Sequence, residues 1–387
     1  MNYILIDPPC VERYYPFTLT RPFGEMRVFG GTIKEIWEKY LGCEVSYLTQ
    51  HHLEKLYPMK WSENNDNFFI PSWFLPFPDS PFKQEESKTC VSSIFMSETD
   101  CQKILNIDSL TTETFRNHLV SNIDCLVKEM SISITRIYSY QKLTFPVEGH
   151  LDFSEYGSYF STHFFPTKSN IDCSNNPFLN DDNGPIIIEE DVTIMEGAMI
   201  RGPVHICKGS TIKMGAKVYG PTIIGPYCKI GGEVSNCIFL GYSNKAHEGF
   251  LGHSIIGEWC NIGAGTSNSN LKNDYGTVKM WDYQDKKFKD SGNQFLGLYM
   301  GDHSKCAINT SFNTGTTVGV NCNVFGAGFP RNFIPSFSWG GAQGVKAYDF
   351  EKAISVAEIV MDRRDVKLTP DYIDMLRSVH DITSNMK

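Results

Sequence analysis

Residues 188–230 read IEEDVTIMEGAMIRGPVHICKGSTIKMGAKVYGPTIIGPYCKI. Ile188, Ile194, Ile200, Ile206, Ile212, Val218, Ile224 and Ile230 recur in it every six residues without a gap. Four places after each comes Val192, Ala198, Val204, Ser210, Ala216, Thr222, Cys228 or Val234, every one small or β-branched. Six residues turn an α-helix through about 600°, far from a whole number of turns, so a helix would scatter these side chains over its surface. Short strands joined by tight turns, three to a coil, put them all inside a narrow prism instead. The pattern lapses after Ile230, resumes at Ile256 and Ile262, and resumes again at Met300, Cys306, Phe312, Val318 and Val324. The prediction is a parallel β-helix over 185–335, in which each coil stacks on its neighbours and the ends need caps.

The flanks have a different character. Only Gly24, Gly30, Gly31, Gly42 and Gly149 of the 32 glycines lie in residues 1–150, where helix signals dominate. Thr32 and Glu35 form a capping-box pair ahead of Ile33, Ile36, Trp37, Tyr40 and Leu41, and Gly42 closes that helix. Strands are expected at Tyr3–Ile6 and Glu44–Leu48, so the chain opens as β-loop-α-β with a parallel sheet. A second amphipathic helix is expected from Thr112, with Phe115, Leu119, Ile123, Leu126 and Met130 on one stripe. The turn-rich stretch SNIDCSNNPFLNDDNG (169–184) reads as a linker between an N-terminal domain over 1–168 and the prism. Within the prism, residues 267–293 form a polar insertion carrying Lys272, Lys279, Lys286, Lys287 and Lys289. Helical signals close the chain over 336–387, capped at Asp349 and opened again at Thr369-Pro370.

Composition excludes several classes. With 44 Asp+Glu against 35 Lys+Arg, the formal net charge is −9, which argues against a global electrostatic grip on nucleic acid. The twelve cysteines form no CxxC pair and read as reduced structural thiols, those at 228, 306 and 322 falling on prism-core positions. No metal cluster is assigned, and His205, His253 and His303 read as structural. No apolar run approaches the roughly 20 residues of a membrane helix, and MNYILIDPPC lacks the form of a signal peptide, so a soluble, cytoplasmic protein is expected.

The prism resembles the left-handed β-helix of hexapeptide-repeat acyltransferases. Within it, Lys245-Ala-His247-Glu-Gly-Phe250-Leu-Gly252, Asn261-Ile-Gly-Ala-Gly-Thr266 and Asn270-Leu-Lys272 resemble the acetyltransferase half of the bifunctional glucosamine-1-phosphate acetyltransferase / N-acetylglucosamine-1-phosphate uridyltransferase family. The resemblance implies an acetyl-CoA-dependent N-acetyltransferase acting on an amino-sugar 1-phosphate, working as a homotrimer with the acyl site between subunits. It makes His247 the base and Asn261 its catalytic companion. Glu233, Lys245 and Asn270 become substrate-binding residues, and Lys272 and Lys279 face the phosphates of the sugar or of coenzyme A. The chemistry agrees independently: an amine attacks a thioester only when deprotonated, and a histidine with a free pKa of about 6.5 can take its proton. The family's tyrosine three places after the base is Phe250 here, and its lysine two places after the glutamate is Ser235.

Tyr15-Pro16-Phe-Thr18-Leu-Thr20-Arg21-Pro22 is similar to a segment of sugar-1-phosphate nucleotidyltransferases, which have a Rossmann-like α/β fold. That implies phosphate contacts from Arg21 and Arg27, with Mg²⁺ and a nucleoside triphosphate if the domain is active. The family's Gly-rich phosphate turn is replaced by Asp7-Pro-Pro-Cys10, the lysine after Arg-Pro is Phe23, and residues 1–150 contain no Gly-Asp metal step. The alternative function is therefore a sugar-1-phosphate nucleotidyltransferase whose β-helix serves oligomerisation.

Overall fold

The computed structural model describes residues 1–8, 11–63, 66–73, 96–97 and 177–384. The helix expected from Thr112 and the first half of the expected linker lie outside the described residues. Two compact units are present: one formed by the described parts of residues 1–11 and 21–97, the other by 12–20 and 177–384.

In the first unit, strand β1 (Asn2–Ile6) lies between β2 (Val45–Leu48) and β3 (Asn67–Pro71), parallel to both, and β4 (Met96–Ser97) pairs antiparallel with β3. Helix α1 (Ile33–Leu41) forms as the sequence predicts. Thr32 Oγ1 accepts the Glu35 N–H at 3.1 Å, and the Glu35 carboxylate accepts the Thr32 N–H at 2.7 Å. Gly42 ends the helix at φ 69°, in the left-handed region. Ile33, Ile36 and Trp37 are the face it buries.

The second unit is a parallel β-solenoid of about nine turns. Its three faces are sheets in which strands from successive coils pair in parallel, as Thr193, Thr211 and Lys229 do along one of them. The hexad residues from Ile194 to Ile230 point inward and are at most 2% exposed, and they share one core with Ile256, Ile262, Met300, Phe312 and Val324. Cys228, Cys306 and Cys322 belong to that core as expected, and burial pushes the Cys322 thiol up to about 12. The coil length explains where the hexad lapses. Thr211 pairs with Lys229, 18 residues on, but Lys229 pairs with Asn244 after only 15 and Asn244 with Asn261 after 17. Shortened turns break the sequence period while the ladder itself continues.

The insertion folds as an antiparallel hairpin, Lys279–Asp282 against Lys287–Asp290. It packs back on the solenoid through Trp281, whose ring stacks on Phe333 at 4.1 Å. Residues 12–20 also lie on the solenoid. Tyr15 meets Tyr283 edge-on at 5.5 Å, Phe17 lies 6.0 Å from Tyr299, and Thr20 Oγ1 donates to Asp302 Oδ2 at 2.8 Å. After a last strand pair ending at Ala347 come α2 (Phe350–Asp362) and α3 (Pro370–Ser384), with Asp349 capping α2 as expected. Arg364 and Tyr372 fasten this tail to one solenoid corner, where Tyr227, Tyr242 and Trp259 stack at 5.0 and 4.2 Å. Arg364 donates to the Tyr227 carbonyl and to Asn244 Oδ1, each at 3.0 Å, and Tyr372 Oη lies 2.9 Å from His303 Nε2.

Candidate active site

His247 stands at the corner where the chain leaves the strand Asn244–Lys245 on one face and enters the strand Phe250–Gly252 on the next. Its side chain is exposed. The turn beneath it is held from inside. Lys245 occupies an inward ladder position, paired in register with Ile230, and is 1% exposed. Its ammonium donates to the Gly231 carbonyl at 3.2 Å and, more closely still, to the His247 carbonyl. Burial pulls this ammonium down to about 8. Lys245, predicted to bind substrate, thus faces the prism interior, where it clamps the backbone of the histidine turn. Two glycines give the turn its room. A Cβ on Gly232 (φ +70) would meet the His247 carbonyl at 2.7 Å, and one on Gly249 (φ +125) would meet the Thr266 carbonyl at 2.0 Å.

The face entered after His247 gathers two of the predicted residues, Glu233 and Asn270. Glu233 lies in register with Phe250, and its carboxylate accepts the Tyr219 hydroxyl at 2.6 Å. That hydrogen bond, with burial behind it, raises the Tyr219 phenol. Phe250 and Asn270 converge over Gly252, where a Cβ would lie 2.5 Å from the Phe250 ring and 2.7 Å from the Asn270 amide nitrogen. Asn270 Nδ2 lies 2.9 Å from His253 Nδ1, and the His253 ring stacks on Phe295 at 5.0 Å. Burial pulls His253 down to about 4, so it is neutral at pH 7 and accepts from the asparagine at Nδ1. His253, which reads as structural in the sequence, shapes this patch. A signal existed: Asn270 follows His253 by 17 residues, the length of the coil from Asn244 to Asn261.

The remaining predicted residues lie elsewhere. Asn261 is exposed on the preceding face, where Asn244 Nδ2 approaches its Oδ1 at 3.5 Å, and no hydrogen bond joins it to His247 among the described residues. Lys272 pairs with Asp274 at 3.0 Å. Lys279 borders an open groove of about 650 Å³ with Trp281, Phe288, Arg331, Asn332 and Phe333. In the first unit, Arg21 is 4% exposed, and Arg27 Nη1 lies 3.9 Å from the Glu35 carboxylate. Asp7, at the carboxyl end of β1, is the residue there that sequence reasoning passed over. It is 4% exposed and accepts the Phe23 N–H at 2.7 Å and the Thr49 hydroxyl at 2.5 Å, and burial pushes it up to about 6. A carboxylate therefore takes up backbone donors where the Rossmann-like resemblance expects a nucleotide phosphate.

Residues 3–86 match a family model described as sugar nucleotidyl transferase, which supports reading the chain as a transferase. No curated protein matches the chain. Among solved structures, a UDP-N-acetylglucosamine acyltransferase from Francisella novicida shares 13% identity over 57% of this chain and 85% of its own, at a TM-score of 0.31. The Arabidopsis UDP-N-acetylglucosamine acyltransferase shares 10% over 55% and 87%, at 0.23. A hexapeptide transferase family protein from Anaplasma phagocytophilum shares 13% over 56% and 89%, at 0.12. Likenesses at this level carry no argument about activity. Among the described residues, no helix is long and apolar enough to cross a membrane.

Proposed function

We propose that the chain is an acetyl-CoA-dependent N-acetyltransferase acting on an amino-sugar 1-phosphate. The observation that carries the reading is the exposed His247 on a clamped corner, opening onto the face that holds Glu233 and Asn270. In the reaction the sugar amine attacks the thioester carbonyl carbon while His247 takes the ammonium-forming proton. The tetrahedral adduct then collapses, the C–S bond breaks, and the imidazolium returns a proton to the departing thiolate. His253, at the far end of the strand Phe250–Gly252, is poorly suited to the task, because burial holds it near 4, well below the pH at which the amine must be relieved of its proton. Glu233 stands beside the amine and Asn270 orients the sugar. Lys279 and Arg331, flanking aromatic rings in the hairpin groove, suit the phosphates and base of coenzyme A. As the resemblance implies, the active form is a homotrimer with this site between subunits, and Asn261 on the neighbouring face serves it from there.

The test is to incubate the purified full chain with acetyl-CoA, glucosamine-1-phosphate and a thiol reagent. Thiol release with matching N-acetylated product, reduced by about 10²–10⁴ in His247→Ala, is expected. No release, or equal release from the variant, overturns the reading.

The match over residues 3–86 favours a second reading, sugar-1-phosphate nucleotidyl transfer by the first unit with the solenoid as an oligomerisation scaffold. Two observations weigh against it: the Asp7 carboxylate at the end of β1, and the Thr20 hydroxyl, which is given to Asp302. Pyrophosphate release from UTP or dTTP with a sugar-1-phosphate, abolished by Arg21→Ala, would establish it.

A further inference from the structure

A second cluster of reactive side chains lies in the first coils of the solenoid. Glu189 follows the strand Ile186–Ile188, His205 lies in the strand Val204–Ile206, and Cys207 comes just after it. These strands are neighbours, with Ile187 in register with His205, so Glu189 and Cys207 occupy equivalent positions in successive coils. His205 and Cys207, two residues apart, project to the same outward side. His205 Nε2 lies 2.8 Å from Glu189 Oε1 and 3.8 Å from Cys207 Sγ, and all three donor atoms fall within 4.8 Å of one another. His205 is fully buried, Cys207 is 1% exposed, and the Glu189 side chain is 20% exposed.

We propose that Glu189, His205 and Cys207 form a zinc site. Zn²⁺ takes this mixed set of one carboxylate, one imidazole and one thiolate, at bond lengths of about 2.0 to 2.3 Å. Zn–N and Zn–S bonds of that length meeting at a tetrahedral angle put the nitrogen and sulfur about 3.5 Å apart, close to the separation found here. The carboxylate and imidazole stand at hydrogen-bond distance, so metal entry replaces the bridging proton and opens that pair by roughly 0.5 Å. The Cys207 thiol proton leaves as well, since the thiolate is the ligand. The carboxylate is already oriented: its second oxygen accepts the Lys208 N–H at 2.9 Å, the kind of supporting bond that fixes a metal-binding carboxylate. Among the described residues three protein donors meet here, and the fourth position of the metal falls to a further ligand or water on the side of the partly exposed Glu189. The site is separate from the His247 corner and does not depend on the acetyltransferase reading. It joins successive coils near the start of the solenoid.

The probe is Co²⁺ added to the chelator-treated full chain, followed by Zn²⁺ in competition. Expected are intense tetrahedral d–d bands and a thiolate-to-cobalt charge-transfer band, saturating at one ion per chain and bleached by Zn²⁺. Cys207→Ser should lose the charge-transfer band while its far-UV circular dichroism stays that of the parent. Glu189→Gln should weaken Co²⁺ binding by about 10-fold or more with the band retained. No charge-transfer band in the parent chain, or the same band in Cys207→Ser, overturns the proposal. The cluster would then be a hydrogen-bonded set and no metal site.

Discussion

Replacing Lys245 by methionine tests how the histidine corner is built. The ammonium lies inside the prism ladder at 1% exposure and is held near 8, against 10.5 for a free lysine, chiefly because burial disfavours its charge. The folded state therefore binds fewer protons than the unfolded chain between those two values, and its stability rises as pH climbs through that window. Integrated from pH 7 to pH 9.5, linkage gives a gain of up to about 2 kcal/mol that belongs to this one group. Below pH 8 the folded protein carries the full cost of the buried charge, offset by its bonds to the Gly231 and His247 carbonyls. Methionine fits the stem but removes the charge and strands both carbonyls, at about 1–3 kcal/mol each. The two changes at neutral pH thus largely cancel, and the informative quantity is the difference between the proteins as pH changes. Urea unfolding of wild type and Lys245→Met at pH 7 and pH 9.5 measures it. The wild type should gain up to about 2 kcal/mol on the variant over that interval. A difference that does not change with pH would refute the placement of a charged lysine in the ladder.

Three further outcomes follow from the geometry. Gly249→Ala should cost more than about 3 kcal/mol in urea unfolding, because the new Cβ would sit 2.0 Å from a carbonyl oxygen at a backbone angle alanine avoids. Ile212→Ala, in the centre of the solenoid core, should cost about 2–5 kcal/mol by the same assay. Asp7 is raised from 3.8 to about 6, so its ionisation disfavours the fold and stability attributable to it falls as pH rises from about 4 to 6. Thermal unfolding of Asp7→Asn should lack that component of the pH dependence.

The solenoid was legible because its ladder is written in β-branched residues at a fixed period, and the helix Ile33–Leu41 because its caps are local chemistry. What sequence could not show depends on coil length. Once coils shorten to 15 and 17 residues, counting sixes no longer tells inside from outside, and nothing in the sequence shows that Lys245, expected to bind substrate, lies in register with Ile230. Asn261 is assigned to the site by the motif resemblance, and its strand lies on the face that precedes His247, near Asn244 and the tail held by Arg364. The role of His253 is not legible locally, because it comes from the ring of Phe295, just past the insertion, and from an amide one coil away. The segment around Tyr15 and Thr20 was legible as a motif, but nothing local in it announces that Phe17 and Thr20 pack on the solenoid residues Tyr299 and Asp302. Contacts that distant in sequence leave no periodic trace.

The most direct test of the central claim is the acetyl-transfer rate of His247→Ala, measured by thiol release with and without free imidazole in the buffer. General-base action by this side chain predicts a loss of about 10²–10⁴ relative to wild type, partly restored by added imidazole. A variant that turns over as fast as the wild type, or a wild type that releases no thiol from acetyl-CoA and glucosamine-1-phosphate, would contradict it.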